Sequence, residues 1–293
     1  MKLLYPLAKR FIAGDSLESA KPEILRLIEN GYEVSIDYIG ENSKTYSQAR
    51  KAYKQYCKII REFSDHKIDI SIKPSQVGLN VHPYLAFIIL HNLAKRAAKV
   101  GHTIRLDMED SSATELTPNL AISVNEKHGN CGVAIQANLF RSEKDLKILT
   151  DKGVSVRLVK GAYQEPKDIS YQTPEAISGS LFSHAANLYS HKANKPAIGT
   201  HDEKLLENID ELIPDPNYYD YEFLYGIRRD LQRRYRDEGR RVRIYVPFGT
   251  DWLPYCVRTL KEWKNLKFVF LNLIKELFKS CLTIKVQVAF EYV

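Results

Sequence analysis

Ile68-Asp-Ile-Ser-Ile72, then Leu85, Ile88, Ile89 and Leu93, then Thr103-Ile-Arg-Leu-Asp107, is the stretch whose reading decides the fold. The outer runs are short and mostly rich in β-branched residues, the pattern of a strand, while apolar residues at i, i+3, i+4 and i+8 mark a helix between them. Strand, helix and strand in that order make a parallel pair, because parallel neighbours need a crossover of about a dozen residues or more.

The reading extends both ways. Upstream stands Val34-Ser-Ile-Asp-Tyr38, followed by Ala49, Tyr53, Tyr56, Ile59, Ile60 and Phe63 at helical spacing. Downstream come Val133-Ala-Ile-Gln-Ala137, Val154-Ser-Val-Arg-Leu-Val159, Pro196-Ala-Ile-Gly-Thr200, Tyr221-Glu-Phe-Leu-Tyr225 and Val242-Arg-Ile-Tyr-Val246. Eight such units predict an α/β fold, a (β/α)8 TIM-like barrel, and its usual size of about 250 residues fits residues 30 to 265. A doubly wound dinucleotide fold would put a Gly-rich turn after the first strand, where this chain has Ile39-Gly40-Glu41-Asn42. One domain, 1–265, is expected, with a lead-in helix in its first 30 residues capped by Asp15 and Glu18. Residues 266–293 form a C-terminal extension. Of these, 266–280 read as a basic amphipathic helix and 281–293 as an alternating apolar tail, expected to dock on the barrel.

The 293 residues are 44% hydrophobic and 27% charged, which is globular rather than disordered composition. The longest apolar runs fall short of the roughly 20 residues a membrane-spanning helix needs. Cys57, Cys131, Cys256 and Cys281 lie far apart without a C-x-x-C pair, against both a zinc site and a disulfide framework. No signal-peptide apolar region follows the N-terminus, so a cytoplasmic protein is expected. The net charge is +7, with eight arginines between Arg228 and Arg243. Asp230, Asp237 and Glu238 interleave them at helical spacing, which favours a solvated helix face, and no nucleic-acid partner is expected.

A barrel keeps its chemistry at the carboxyl ends of its strands, and here those ends are polar throughout. They carry Asp37 and Glu41; Lys73, Ser75 and Gln76; Asp107, Glu109 and Asp110; Gln136 and Asn138; Arg157, Lys160 and Tyr163; Thr200, His201 and Asp202; Glu222 and Tyr225; and Tyr245. Each has a plain structural reading: Lys73 beside Asp107 as an ion pair closing the barrel mouth, His201 as a satisfied structural histidine. Arg157 and Lys160 call for an anion, which the acids of the third strand or a ligand supplies. Gly161-Ala162 is small enough to let a planar or phosphorylated ligand reach the backbone. No metal is expected, because the acids and His201 lack a ligand spacing and the cations at the same rim repel one.

Six of these segments, in order, resemble the motifs of proline dehydrogenases: Ser71-Ile-Lys-Pro-Ser-Gln-Val-Gly78, Leu106-Asp-Met-Glu-Asp110, Arg157-Leu-Val-Lys-Gly-Ala-Tyr163, Gly199-Thr-His-Asp202, Leu224-Tyr-Gly-Ile-Arg-Arg-Asp-Leu-Gln232 and Val242-Arg-Ile-Tyr-Val-Pro-Phe-Gly249. The resemblance covers about residues 9 to 263, and the size suits the monofunctional enzyme. It implies a distorted barrel holding FAD without a covalent link, and oxidation of L-proline to Δ1-pyrroline-5-carboxylate by hydride transfer from C5 to flavin N5. It implies FAD contacts from Gln136, Arg157, Val159, Lys160, Gly161, Ala162, Thr200 and His201. Lys73, Asp107, Tyr163, Leu224, Tyr245 and Arg258 would surround proline, and Glu41 would pair with the arginine of the helix after the eighth strand. The acceptor it implies is a quinone or a membrane electron-transport chain, reached from a peripheral membrane position, with functional coupling to pyrroline-5-carboxylate dehydrogenase.

The chain departs from the family's pattern in three places. The family's two adjacent arginines after the eighth strand read Arg258-Thr259, the seventh-strand motif Glu-Phe-Gln-Met-Leu-Tyr-Gly reads as shortened by two residues to Glu222-Phe-Leu-Tyr-Gly226, and Asn138 stands where tyrosine is usual. The alternatives these leave are a flavin-binding relative with weak or altered specificity, or a basic surface-binding protein without catalysis.

Overall fold

The computed structural model describes residues 8–253, 255 and 256. Two compact units divide the chain, Met1–Trp252 and Leu253–Val293. Arg258, Thr259 and the whole extension 266–293 lie outside the described residues.

Strand and helix alternate as read: α1 (Leu17–Glu29), β1 (Glu33–Tyr38), α2 (Tyr46–Glu62), β2 (Asp69–Ile72), α3 (Pro83–Ala98), β3 (Thr103–Leu106), α4 (Leu116–His128), β4 (Cys131–Gln136), α5 (Ser142–Asp151), β5 (Val156–Val159), α6 (Pro174–Ser190), β6 (Ala197–Gly199), α7 (Glu203–Leu212), β7 (Asp220–Leu224), α8 (Arg229–Asp237) and β8 (Val242–Phe248). The strands close into a barrel in sequence order, with β8 pairing β1 in parallel from Glu33↔Arg243 to Tyr38↔Phe248.

Local chemistry sets the boundaries. Thr45 caps α2, accepting from the Gln48 amide, and buries Ala49, Ala52, Tyr56, Ile59 and Ile60 on one stripe. Pro83 opens α3, where its missing N–H costs nothing. At α1 the cap differs from the expectation: Ser16 and Ser19 make the capping box, not Asp15 and Glu18. A serine at the third position satisfies the cap's own amide with its short hydroxyl, so no Glu is needed there.

The period-two alternation of the strands divides the barrel in two. Ile36, Ile70, Ile72, Ile104, Leu106, Val133, Ile135, Val156, Leu158, Ile198, Phe223, Ile244 and Val246 belong to one continuous core with the helices. The alternate residues bond one another from strand to neighbouring strand. Arg105 meets Asp69 at 3.2 Å and Ser35 meets Asp69 at 3.1 Å, while Arg243 meets Asp220 at 2.8 Å. Above them lie Asp37, Lys73, Asp107, Arg157 and Glu222. A barrel interior ordinarily fills with branched apolar side chains; this one is filled with paired charges.

Most of the arginines after β7 are committed to ion pairs. Arg228 and Arg234 bind Glu203, Arg240 binds Asp210 and Arg241 binds Asp220, each at 2.6–2.7 Å. Among the described residues no helix is long and apolar enough to cross a membrane.

Candidate active site

Six strands, β1, β2, β3, β5, β7 and β8, bring one cluster together at the carboxyl end of the barrel. The Lys73 ammonium lies 3.1 Å from Asp37 Oδ1 and 3.4 Å from Asp107 Oδ2. Tyr245 donates to Asp107 Oδ2 at 2.7 Å. Arg157, 5% exposed, binds the other Asp107 oxygen through Nη2, and its Nη1 reaches Glu222 Oε1 at 2.6 Å and Ser71 Oγ at 3.2 Å. The Arg157 guanidinium carbon is 5.2 Å from the Tyr245 ring centroid.

Three carboxylates thus face two cations in a buried space, and the environment treats them differently. Burial acts against ionised Asp107, but Arg157 and Lys73 outweigh it and hold the carboxyl below its ordinary value. Burial prevails at Asp37 and Glu222, raising both. Asp37 Oδ2 and Glu222 Oε2 are buried without a hydrogen-bond partner. At Lys73 and Arg157 burial is outweighed by the facing acids, so both stay protonated more firmly than usual. Lys73 has three N–H donors and Arg157 five. Two and three of these, respectively, are engaged in the bonds above, leaving donors for a ligand.

Around this floor runs a hydrogen-bonded rim. Ser75 donates its amide to Glu109 at 2.8 Å, Gln136 Nε2 donates to the Glu109 carbonyl at 3.1 Å, and the Ala162 amide donates to Gln136 Oε1 at 3.2 Å. Loops after β2, β3, β4 and β5 are thereby tied in series. Val159 to Gly161 are half-buried and Ala162 is exposed, so the backbone beyond β5 is open to approach. Gly161 has φ +116°, and a Cβ there would stand 2.3 Å from Asn138 Oδ1, so only glycine fits. That Asn138 oxygen is itself buried without a partner. Small residues on an open strand end, with cations at the floor and at Lys160, suit a planar anionic ligand.

The family described as Proline dehydrogenase matches residues 20–269. The chain belongs to the proline dehydrogenase family. It is 32% identical over 277 residues to Proline dehydrogenase 1 of Bacillus subtilis subsp. natto, across 92% of this chain and 91% of that one. With Proline dehydrogenase of Deinococcus radiodurans it shares 30% identity over 288 residues, across 93% and 91%. Among solved structures it is similar in fold to proline utilization A from Bdellovibrio bacteriovorus inactivated by N-propargylglycine. The TM-score is 0.82 at 21% identity, over 90% of this chain and 33% of that longer one.

The residues that the family resemblance pointed to fall into three groups. Lys73, Asp107, Arg157 and Tyr245 share the floor cluster, and the Tyr163 hydroxyl acts on the Lys73 charge. Leu224 ends β7 opposite Tyr245 in register. Gln136, Val159, Gly161, Ala162 and Thr200 line the rim, with Thr200 Oγ1 accepting from the Asp202 amide at 3.3 Å. Lys160 stays outside the cluster, held by Asp202 at 2.6 Å and Ser178 at 2.9 Å. Glu41 is exposed on the loop after β1 and acts electrostatically on Glu109.

Two members of the cluster, Asp37 and Glu222, were legible as polar strand ends but not as parts of the site. For Glu222 the signal was parity, since it shares the inward face of β7 with Leu224; for Asp37 the strand offered no such neighbour. The apparent shortening of the seventh strand disappears when the family motif is laid on the chain without a gap. β7 pairs without a break from Tyr221↔Val242 to Leu224↔Tyr245, and Asp220 to Gly226 lies over the seven-residue family motif with no gap, which puts Glu222 at the motif's glutamine.

His201 serves the wall beside it: its Nε2 accepts the Leu224 amide at 3.0 Å, which requires a neutral ring. Burial, with Arg228 nearby, depresses its pKa to about 3. The unfolded chain takes up this proton below about 6.5 and the folded one does not until about 3. Stability from this group is therefore lost as pH falls from about 6.5, by up to roughly 1.4 kcal/mol per pH unit. His201→Asn should flatten the fall in apoprotein stability between about pH 6 and pH 4, read by urea unfolding at each pH. An unchanged slope would show that His201 titrates normally.

Proposed function

We propose that the protein oxidises L-proline to Δ1-pyrroline-5-carboxylate with FAD held non-covalently on the β4 to β6 rim. The observation that carries this is the floor cluster of Lys73, Asp107, Arg157 and Tyr245 beneath an open, glycine-containing strand end, in a chain of this family. When bound, FAD supplies the acceptor for the hydride that leaves C5. FAD fits the residues present: the half-buried to exposed backbone from Val159 to Ala162 is open to a ring system, and the remaining N–H groups of Arg157 would meet the negative charge such a ring gains.

Proline is a zwitterion, and each of its parts has a counterpart. The third N–H of Lys73, with Arg258, binds the carboxylate, while Tyr163, Leu224 and Tyr245 wall the ring. The amine must lose a proton as the hydride leaves, since an ammonium cannot push electrons toward C5, while Asp107 orients Lys73 toward the carboxylate. Electrons pass on to a quinone or a membrane electron-transport chain, and the imine product goes, as its open-chain aldehyde, to pyrroline-5-carboxylate dehydrogenase. On this reading the protein works in the cytoplasm, in peripheral contact with the membrane.

The test is the visible spectrum of the purified protein before and after anaerobic addition of proline, with mass analysis of the released cofactor. A bound FAD bleached by proline is expected; a protein colourless at every stage and unable to take up added FAD sinks the reading.

Thr259 supplies a second test. With a single arginine at this position in the sequence, Thr259→Arg should restore a two-arginine fork. A charge-assisted hydrogen bond contributes about 1.5–3 kcal/mol, so the Michaelis constant for proline should fall by about 10-fold or more with turnover nearly unchanged. A cyclic amine lacking the carboxylate should gain nothing. No gain for proline, at full flavin content, would mean that its carboxylate is held elsewhere.

A further inference from the structure

Glu222 has no role in the reaction as derived so far, yet it is 3% exposed and sits in the floor of the site. Its Oε1 lies 2.6 Å from Arg157 Nη1, and its Oε2 is buried without a partner. Arg243 and Arg105 also act on its charge, but neither bonds it directly. Arg105 is taken by Asp69 at 3.2 Å, and Arg243 by Asp220 at 2.8 Å and by Glu33. Asp107, the other acid on Arg157, divides its charge among Arg157, Lys73 and Tyr245. Arg157 is the one cation that Glu222 contacts directly among the described residues.

We propose that Glu222 is a positioning residue that fixes the direction of Arg157 across the barrel mouth and, as its counter-charge, sets how much positive charge Arg157 offers the bound flavin. This rests on the flavin reading above. A guanidinium held between two carboxylates presents less net charge than a free one, and a reduced flavin, which carries extra negative charge, is stabilised accordingly less. Glu222 therefore holds the flavin potential below the value Arg157 alone would give, which eases passage of electrons to the next acceptor. Ser71 Oγ, 3.2 Å from the same Nη1, is neutral and adds direction without charge.

The test uses the holoenzyme with three variants, Glu222→Gln, Glu222→Asp and Glu222→Ala. The readouts are the midpoint potential of the bound flavin and stopped-flow reduction by proline. Glu222→Gln keeps shape and an acceptor oxygen but removes the charge, so the potential should rise. Glu222→Ala should also slow reduction about tenfold, while the Michaelis constant for proline stays within about twofold. In Glu222→Asp the charge remains but stands farther from Arg157; the potential should return toward wild type with reduction still slowed. A purely structural ion pair would lower the melting temperature and leave the potential alone. An unchanged potential in Glu222→Gln at full flavin content overturns the proposal. Should Glu222→Gln fail to fold, wild-type reduction kinetics in Glu222→Asp overturn it instead. A wild-type protein whose flavin proline does not bleach defeats the function reading itself, and this inference falls with it; normal bleaching with unchanged variants defeats the inference alone.

Discussion

Arg157→Lys should fold and bind flavin yet be reduced by proline roughly 10²-fold more slowly than the wild type. Arginine's planar fork reaches Asp107, Glu222 and Ser71 at once; a lysine is a single point charge on a flexible stem and cannot hold that direction. Arg157→Ala is the harsher change. It leaves Asp107 and Glu222 buried without their shared cation, and breaking a buried pair from one side costs about 3–5 kcal/mol, so apoprotein stability should fall together with activity. Stopped-flow reduction and apoprotein melting, measured on both variants, separate the two contributions. Wild-type reduction in the lysine variant, alongside a large melting loss in the alanine variant, would make Arg157 a strut of the barrel and nothing more.

Lys73→Met should raise the Michaelis constant for proline by about 10- to 150-fold, the loss of one charge-assisted bond to the carboxylate. It also strips Asp37 of the cation 3.1 Å away. Asp37 is fully buried and its carboxyl is already pushed up by burial, so without Lys73 it should take up a proton at neutral pH rather than stay ionised. The double variant Lys73→Met/Asp37→Asn removes that liability. Its stability should recover much of what the single variant loses, while proline affinity should not recover at all. Recovery of both would mean that Lys73 serves only to neutralise Asp37.

The positions of the strands were legible because short β-branched runs alternate with helical spacing, and each lies within a few residues of where Val34, Ile68, Thr103, Val133, Val154, Pro196, Tyr221 and Val242 placed it. Lys73, Asp107, Arg157 and Tyr245 were legible through the family motifs. What the chain alone did not reveal was depth. A charged residue on a strand is ordinarily read as facing water, so Arg157, Asp69 and Arg105 gave no sign that they fill the interior; that depends on closure, when β8 meets β1. Asp37 and Glu222 escaped for the same reason, since their partners Lys73 and Arg157 sit on other strands. The seventh strand appeared shortened because Glu222 was aligned with the motif's first residue, which Asp220 occupies instead.

The charged interior also acts on assembly. A strand that paired one residue out of step would turn its inward face outward, and in an apolar barrel the error would cost little, because one branched side chain substitutes for another. Here a slip of β5 would withdraw Arg157 from β3 and β7 together and leave Asp107 and Glu222 facing an apolar side chain. Pairing errors therefore carry the penalty of an unpaired buried charge, several kcal/mol each, and the same contacts that prepare the floor of the site proofread the order in which its strands close.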